Sequence, residues 1–447
     1  MINLTPEEKA LGKGNFQAAI GSDLTRREFL MGTIAAGVVS GAGLGGMYFN
    51  YKKVENPVRI AFIGTGDEGG VLLGALTPDY VQVAAIADIR PFNQFRAFHG
   101  DCSSENAMKV RTGLIKKYDW KTEDNARKNV AVYEDYHDLL ADKDKLGIEA
   151  VVIALPLHLH AAAAIAAMNK GLHVLTEKLM GYSVAACKAM GRVAKEKDLL
   201  LATGHQRHYS ILYDNAVDCI RQGLLGDVHC IRAQWHRKAD TWSPPVPTDP
   251  SLTKAELLES NLKKQEAASA NGLADLRKEY DAIKSAMSDS DGKLADQWAH
   301  LKRTLANADP KDVDLLQKRI TQVEMQIKDA AVDADKFGYH DFKLKGSGDE
   351  VKAREELIRW RLWERTGGGL MAELGSHQLD ASGIFVGAIP GNPPHEKVLP
   401  LTVSAMGYQY LKRRECEDHV FCMYEFPKPG YYKADDKTKV ADPNKKL

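Results

Sequence analysis

Three side chains are placed to move a proton. Lys178 and its neighbour Glu177 close the β-branched run His173-Val174-Leu175-Thr176. A lysine at the end of a buried strand is costly to bury without a task, so it should face a cleft. Glu373 and His377 stand four apart in a stretch, Leu370 to Phe385, that reads as one helix and puts them on one face with Asp380 close by. A carboxylate beside an imidazole orients it and stabilises its protonated form, as a general base requires. An amine donor and such an imidazole suit proton transfer at a hydroxyl or carbonyl oxygen. The bland alternatives are an exposed lysine at a strand end and a satisfied core histidine.

A second set of residues implies what accompanies that proton. Val58 to Ile63 reads as a buried strand running into Gly64-Thr65-Gly66-Asp67-Glu68-Gly69, a G-x-G-x-x-G that opens a helix. Gly64 permits the tight turn, Gly66 lets a pyrophosphate approach the backbone, and Gly69 lets helix and strand pack closely. Unpaired N–H groups at the helix start then face the phosphates. In a chain with 37 glycines the motif alone is weak, so its context decides. A following strand, Val81 to Ala87, ends at Asp88, where a carboxylate receives the adenosine ribose, with Ile89 beside it. Asp88 favours NAD, and Arg90 two residues later keeps NADP open. This is read as a dinucleotide site.

Strands must alternate with helices to position these groups. After a polar stretch, 92–128, holding an irregular helix, strands are expected at 130–133, 150–155, 173–176 and 199–203. Ligands bind beyond the carboxyl ends of parallel strands, which collects Pro156, His160, Glu177, Lys178 and the run His205-Gln206-Arg207-His208-Tyr209 at one rim. His205, Arg207 and Tyr209 are the candidate holders of substrate hydroxyls. Val228 to Arg237 alternates as a half-buried strand and is expected to start a second sheet, joined by strands at 401–410 and 419–426.

Two segments stand apart. Thr25-Arg26-Arg27-Glu28-Phe29-Leu30 precedes an uncharged Gly/Ala-rich run, 31–49, and resembles a twin-arginine export signal. Such a signal implies the twin-arginine translocase as a partner and a periplasmic location, with 31–49 as a membrane anchor the competing reading. Export also implies a tightly held cofactor, because no free pool exists outside the cytoplasm. Residues 245–350 turn rich in Lys, Glu, Asp and Ala and keep helical spacing, for example at Leu294, Trp298, Leu301 and Leu305. They read as an inserted helical hairpin or small bundle, more simply a solvated structural insertion than a lid or oligomer contact. Thr253 and Glu256 form an expected capping box, and Pro310 an expected first helical residue.

Lys+Arg and Asp+Glu both number 60, so nothing points to nucleic acid or an anionic membrane surface. Six cysteines without a C-x-x-C pair give no expectation of a metal site or disulfide framework; Cys416 with Cys422 is the one bridge to weigh.

Over roughly 57–240 and 358–426 the chain resembles the glucose–fructose oxidoreductase / inositol dehydrogenase / MocA (Gfo/Idh/MocA) family. The family's E-K-P motif, whose lysine lies beside the nicotinamide, stands here as Glu177-Lys178-Leu179, with the proline and its turn replaced. Its D-x-x-x-H stands as Glu373-Leu374-Gly375-Ser376-His377, and the strings GHQRHYS and GGLMAELGSHQLD are similar to exported, twin-arginine members. The resemblance implies a signal and linker over 1–56 and a Rossmann NAD(P)-binding domain over 57–180. It further implies a substrate and oligomerisation domain over 181–447, with an open, mostly antiparallel sheet that dimerises; only three of its strands are expected in this chain, so either the chain is a fragment or this domain is reduced. It implies hydride transfer on a sugar, polyol or related hydroxyl compound with Lys178, His377 and Glu373 as catalytic groups. NAD-dependent glycosidases occur among the exported members, so transient oxidation and elimination is the alternative; a non-enzymatic dinucleotide-binding module is the third reading.

Overall fold

The computed structural model describes residues 56–237, 242–392 and 397–447. The arginine pair and the 31–49 run lie outside the described residues. Among those described, no helix is long and apolar enough to cross a membrane.

Six parallel strands make the main sheet: β1 (Val58–Ile63), β2 (Val81–Ala87), β3 (Ala131–Tyr133), β4 (Ala150–Ile153), β5 (His173–Thr176) and β6 (Leu201–Thr203), in spatial order β3-β2-β1-β4-β5-β6. This is the doubly wound order, and it reverses direction between β1 and β4, which leaves a crevice at their carboxyl ends. The sheet runs through Thr203, past the expected boundary at 180, because β6 pairs with β5. Both faces are covered. Alternation along β1 sends Ile60 and Phe62 into one apolar cluster with Leu73, Ile86 and Phe98, and Ala61 and Ile63 into another with Leu139, Val151 and Met168. Full burial of side chains of this size contributes about 1.5–3 kcal/mol each.

Helices supply the covering layers. α1 (Asp67–Ala75) and α2 (Pro91–His99) lie over one face, and α3 (Tyr136–Ala141), α4 (His160–Asn169) and α5 (Val184–Glu196) over the other. Ser183 caps α5 through its Oγ to the Ala186 N–H, as its position implies. The polar stretch after α2 breaks into three short helices, 105–110, 114–117 and 123–129, rather than one. α6 (Ile211–Arg221) follows β6.

The insertion is a four-helix unit: α7 (Thr253–Ala267), α8 (Ala270–Ser285), α9 (Asp289–Ala306) and α10 (Val313–Lys328). Leu258, Leu262, Leu294, Trp298, Ile320 and Val323 form its seam, as the spacing implies. Its caps differ from expectation. Thr253 lies inside the helix with no capping hydrogen bond, and α10 begins at Val313 beyond Pro310. Nor is the unit merely solvated. Gln322 on α10 accepts the Cys102 N–H at 2.7 Å and donates to Asp101, and Arg319 donates to the Cys102 carbonyl, so α10 is docked beside α2.

The second domain carries a helix and a small sheet. A single π-helical turn, Met371–Gly375, leads into α11 (Ser376–Gly387). β7 (Thr402–Tyr408) and β8 (His419–Glu425) pair antiparallel and form a sheet by themselves. The expected strand at 228–237 is not one. It meets α11, where Gln378 Nε2 holds the Gln234 carbonyl, and among the described residues it pairs with no strand. One face of β7–β8 is open, with Met406, Tyr408, Phe421 and Met423 exposed. Cys416 and Cys422 are free thiols.

Candidate active site

A cleft of about 760 Å³ opens at the carboxyl ends of β1, β4 and β5 and is closed on the far side by residues of the second domain and by 326–361. The glycine loop forms its floor. Gly64 sits at φ +89°, and a Cβ there would lie 2.5 Å from the Ala154 carbonyl oxygen; a Cβ on Gly69 would lie 2.4 Å from the Gly64 oxygen. Gly66 differs: its added Cβ would meet nothing nearer than Asn93 Nδ2 at 3.7 Å, so the space over it faces the cleft. α1 has no side-chain cap on Gly66, which leaves N–H groups of its first turn for an anion. Thr65 is buried behind the loop. The two first-turn carboxylates are compensated or suppressed. Arg96 pairs with Asp67 at 2.7 Å and, with Arg111, holds its carboxyl below the ordinary range against the effect of burial. Burial raises the Glu68 carboxyl. An empty cradle under a helix N-terminus fits a pyrophosphate.

Asp88 acts inward. Its Oδ2 accepts the Thr65 N–H at 2.8 Å and hydroxyl at 3.2 Å, its Oδ1 accepts the Arg90 N–H, and Asn93 Nδ2 reaches both oxygens. The carboxylate therefore fixes the glycine loop as well as placing negative charge at the ribose end. Arg90 is turned away into a pair with Asp329 of the insertion. Ile89 packs against the cluster formed by Tyr339, Leu357 and Ile358.

At the other end lies the proton-transfer set. Lys178 and Leu179 are joined by a cis peptide bond. His160, expected at the cofactor, is a structural tie: its Nδ1 meets the Leu179 carbonyl at 2.7 Å and its Nε2 the Leu155 carbonyl at 2.8 Å. Pro156 lines the cleft beside it. Lys178 Nζ donates to the Glu373 carbonyl at 2.5 Å and lies 3.9 Å from Glu373 Oε1. Burial lowers its pKa, opposed by Glu373 and Glu177. Burial and the nearby Glu68 push Glu177 up to about 7.

Glu373 reaches His377 through its charge, which raises the imidazole, rather than through a hydrogen bond. Its carboxylate accepts Arg361 Nε at 2.9 Å, and no hydrogen bond joins it to the imidazole. The π-helical turn carries Glu373 out of simple helical register with His377, and the buried guanidinium is the stronger partner. Although burial opposes its charge, Arg361 and Lys178 keep Glu373 below its ordinary pKa. His377 lines the same cleft as Lys178 and leans on Trp235, ring centroids 5.2 Å apart. Burial, then Lys178 and Arg207, lower it to about 4, so it stands neutral and able to accept a proton at neutral pH.

The expected substrate residues are set back. His205 Nδ1 faces Thr203 Oγ1 at 3.3 Å, the Tyr209 hydroxyl donates to the Thr203 carbonyl, and the Arg207 guanidinium lies over the Tyr213 and Trp235 rings. None of the three lines the cleft, whereas Gln206 does and donates to Glu68. Sequence reading put Gln206 at the rim without a role and missed Trp235 and Arg361 and the pairing of half-buried His208 with buried Asp380 at 2.9 Å. For Asp380, its place three residues past His377 was the available signal; nothing local marked Arg361. Among the described residues no cluster of His, Cys, Asp and Glu could hold a metal ion.

Known proteins bear on this geometry. A family model described as "Oxidoreductase family, NAD-binding Rossmann fold", of the Gfo/Idh/MocA type, matches residues 58–205. That stretch is an NAD-binding Rossmann domain similar to those of the Gfo/Idh/MocA oxidoreductases. An uncharacterised oxidoreductase of Schizosaccharomyces pombe is 36% identical over 134 residues, 28% of this chain and 36% of its own length. A glycosyl hydrolase family 109 protein of Stenotrophomonas maltophilia is 30% identical over 215 residues, 47% of this chain and 42% of its own. An inositol 2-dehydrogenase of Salmonella typhimurium is 31% identical over 110 residues, 24% of this chain and 32% of its own. The chain thus spans about a third to two fifths of the length of these relatives. The matched stretch contains the glycine loop, Asp88 and Lys178, while Glu373 and His377 lie outside it.

Proposed function

We propose that the protein is an NAD(H)-dependent oxidoreductase that transfers hydride to or from a sugar, polyol or related hydroxyl compound. The observation that carries this reading is that Lys178 and a neutral His377, from different domains, line the cleft that the glycine loop floors. Bound NAD supplies the hydride acceptor. Lys178 hydrogen-bonds the reacting oxygen, held in place by Glu373, whose charge is in turn fixed by Arg361. His377 takes the hydroxyl proton. Trp235 and Gln206 border the substrate end, with Arg207 and His205 behind them. Single-turnover reduction of bound NAD by a panel of polyols and sugars tests the assignment; no reduction by any member, with dinucleotide bound, would count for a binding module instead.

A second reading has its own support: the glycosyl hydrolase family 109 relative matches a larger share of the chain than the inositol dehydrogenase does. On that reading a dinucleotide bound in the cleft would take up the hydride of a sugar hydroxyl and later return it, while the same residues move the protons of the intervening elimination and addition of water. Release of sugar without net NADH would distinguish it. The arginine pair Arg26-Arg27 supports export by the twin-arginine translocase to the periplasm, and the exposed apolar face of β7–β8 supports self-association through that sheet.

A further inference from the structure

We propose that Asp329, contributed by the inserted helical unit, fixes the choice of dinucleotide by occupying the place a 2′-phosphate would take. The inference rests on the cleft being a dinucleotide site. Adenosine 2′-phosphates are bound by an arginine just past the second strand, and anions generally settle at helix N-termini. Both elements are present here, and both are already engaged. Arg90 directs Nε and Nη2 to Asp329 Oδ2, each at 2.8 Å, while the Phe92 N–H in the first turn of α2 donates to Asp329 Oδ1 at 3.1 Å. One carboxylate thus accepts from a guanidinium and a helix N-terminus together, as a phosphate would.

The arrangement is built rather than incidental. Asp329 is 1% exposed and follows directly on α10, whose Gln322 and Arg319 are bonded to residues 101 and 102 just beyond α2. Arg90 is held from its own backbone as well, through its N–H to Asp88 Oδ1 at 2.9 Å. Asp329 thus holds the Arg90 guanidinium and Asp88 its backbone, so two carboxylates stand against one guanidinium where a dianionic phosphate would have to enter. NAD, with a ribose hydroxyl there, meets no such opposition.

The experiment is titration of the full-length protein, stripped of dinucleotide, with NAD and with NADP by calorimetry. Wild type should prefer NAD. Asp329→Asn keeps an oxygen for the Phe92 N–H but removes the charge and loosens Arg90, so the NADP-to-NAD affinity ratio should rise at least about tenfold, the worth of one charge-assisted hydrogen bond. Adding Arg90→Gln to that variant should abolish the gain, an outcome a merely structural role for Asp329 does not produce. Asp329→Ser, with its hydroxyl acceptor, serves if the asparagine variant fails to fold. A ratio unchanged in the folded variant, or wild type that prefers NADP, overturns the proposal. Wild type that binds neither dinucleotide overturns the reading of the cleft itself.

Discussion

Two glycines of the same loop should fail in different ways. At Gly69 an added methyl would lie 2.4 Å from the Gly64 carbonyl oxygen, about an ångström inside ordinary contact, and that oxygen belongs to backbone that cannot swing aside. Overpacking of this kind costs about 1–3 kcal/mol, so Gly69→Ala should lower the thermal midpoint by several degrees, roughly. At Gly66 the nearest atom to an added Cβ is 3.7 Å away and φ is −66°, a value any residue adopts. Gly66→Ala should therefore fold as well as wild type. Its methyl fills the space over the unpaired N–H groups of α1 and separates them from a pyrophosphate. Loss of one or two charge-assisted hydrogen bonds, at about 1.5–3 kcal/mol each, weakens NAD binding by roughly 10- to 100-fold or more. Thermal unfolding and calorimetric titration of both variants separate the effects. A Gly66→Ala protein that binds NAD normally would refute the placement of the pyrophosphate.

Three further outcomes follow from the same geometry. Glu177 is buried with its pKa raised to about 7, above its unfolded value near 4.5. Stability it leaves intact below the unfolded pKa is therefore lost as pH rises through about 7, by up to about 3 kcal/mol, and Glu177→Gln should remove that slope; parallel denaturant midpoints for both proteins at pH 5 and at pH 8 would contradict it. Glu373→Gln should reduce turnover through Lys178 and move the acid limb of His377 downward, because the Glu373 charge raises the imidazole against burial, Lys178 and Arg207 without a hydrogen bond to it; an acid limb that moves upward in the pH–rate profile would contradict this. Replacing Arg26 and Arg27 together by lysine should leave folded protein in the cytoplasm, and normal export in a fractionation assay would remove the twin-arginine reading.

Local sequence carried the parts of the site that depend on local physics. The β1–loop–α1 unit is legible because Gly64 and Gly69 answer close backbone contacts, at the end of a neighbouring strand and within the loop, and Gly66 opens to the cleft. Lys178 is legible because the end of a parallel strand has a known destination. What escaped reading depends on partners far along the chain. Arg361 claims Glu373 through a π-helical turn that period counting treats as ordinary helix. Asp329 claims Arg90 across 239 residues of sequence. Residues 228–237 have the alternation of a strand, but alternation supplies only a half-buried face; among the described residues the segment pairs into no sheet and is tied to α11 instead. His160 looked like a rim residue because it follows Pro156, yet two carbonyls converge on its ring and make it a brace.

The central claim is that Lys178 and His377 act on one bound hydroxyl beside the dinucleotide. It is tested most directly by single-turnover reduction of bound NAD with a true substrate in wild type, Lys178→Met and His377→Ala. Both variants should retain NAD, because neither side chain touches the glycine loop's cradle, and each should slow hydride transfer by roughly 10²–10⁴-fold, the usual contribution of a positioned acid or base. Near-normal rates in either variant, with NAD still bound, would place the chemistry elsewhere.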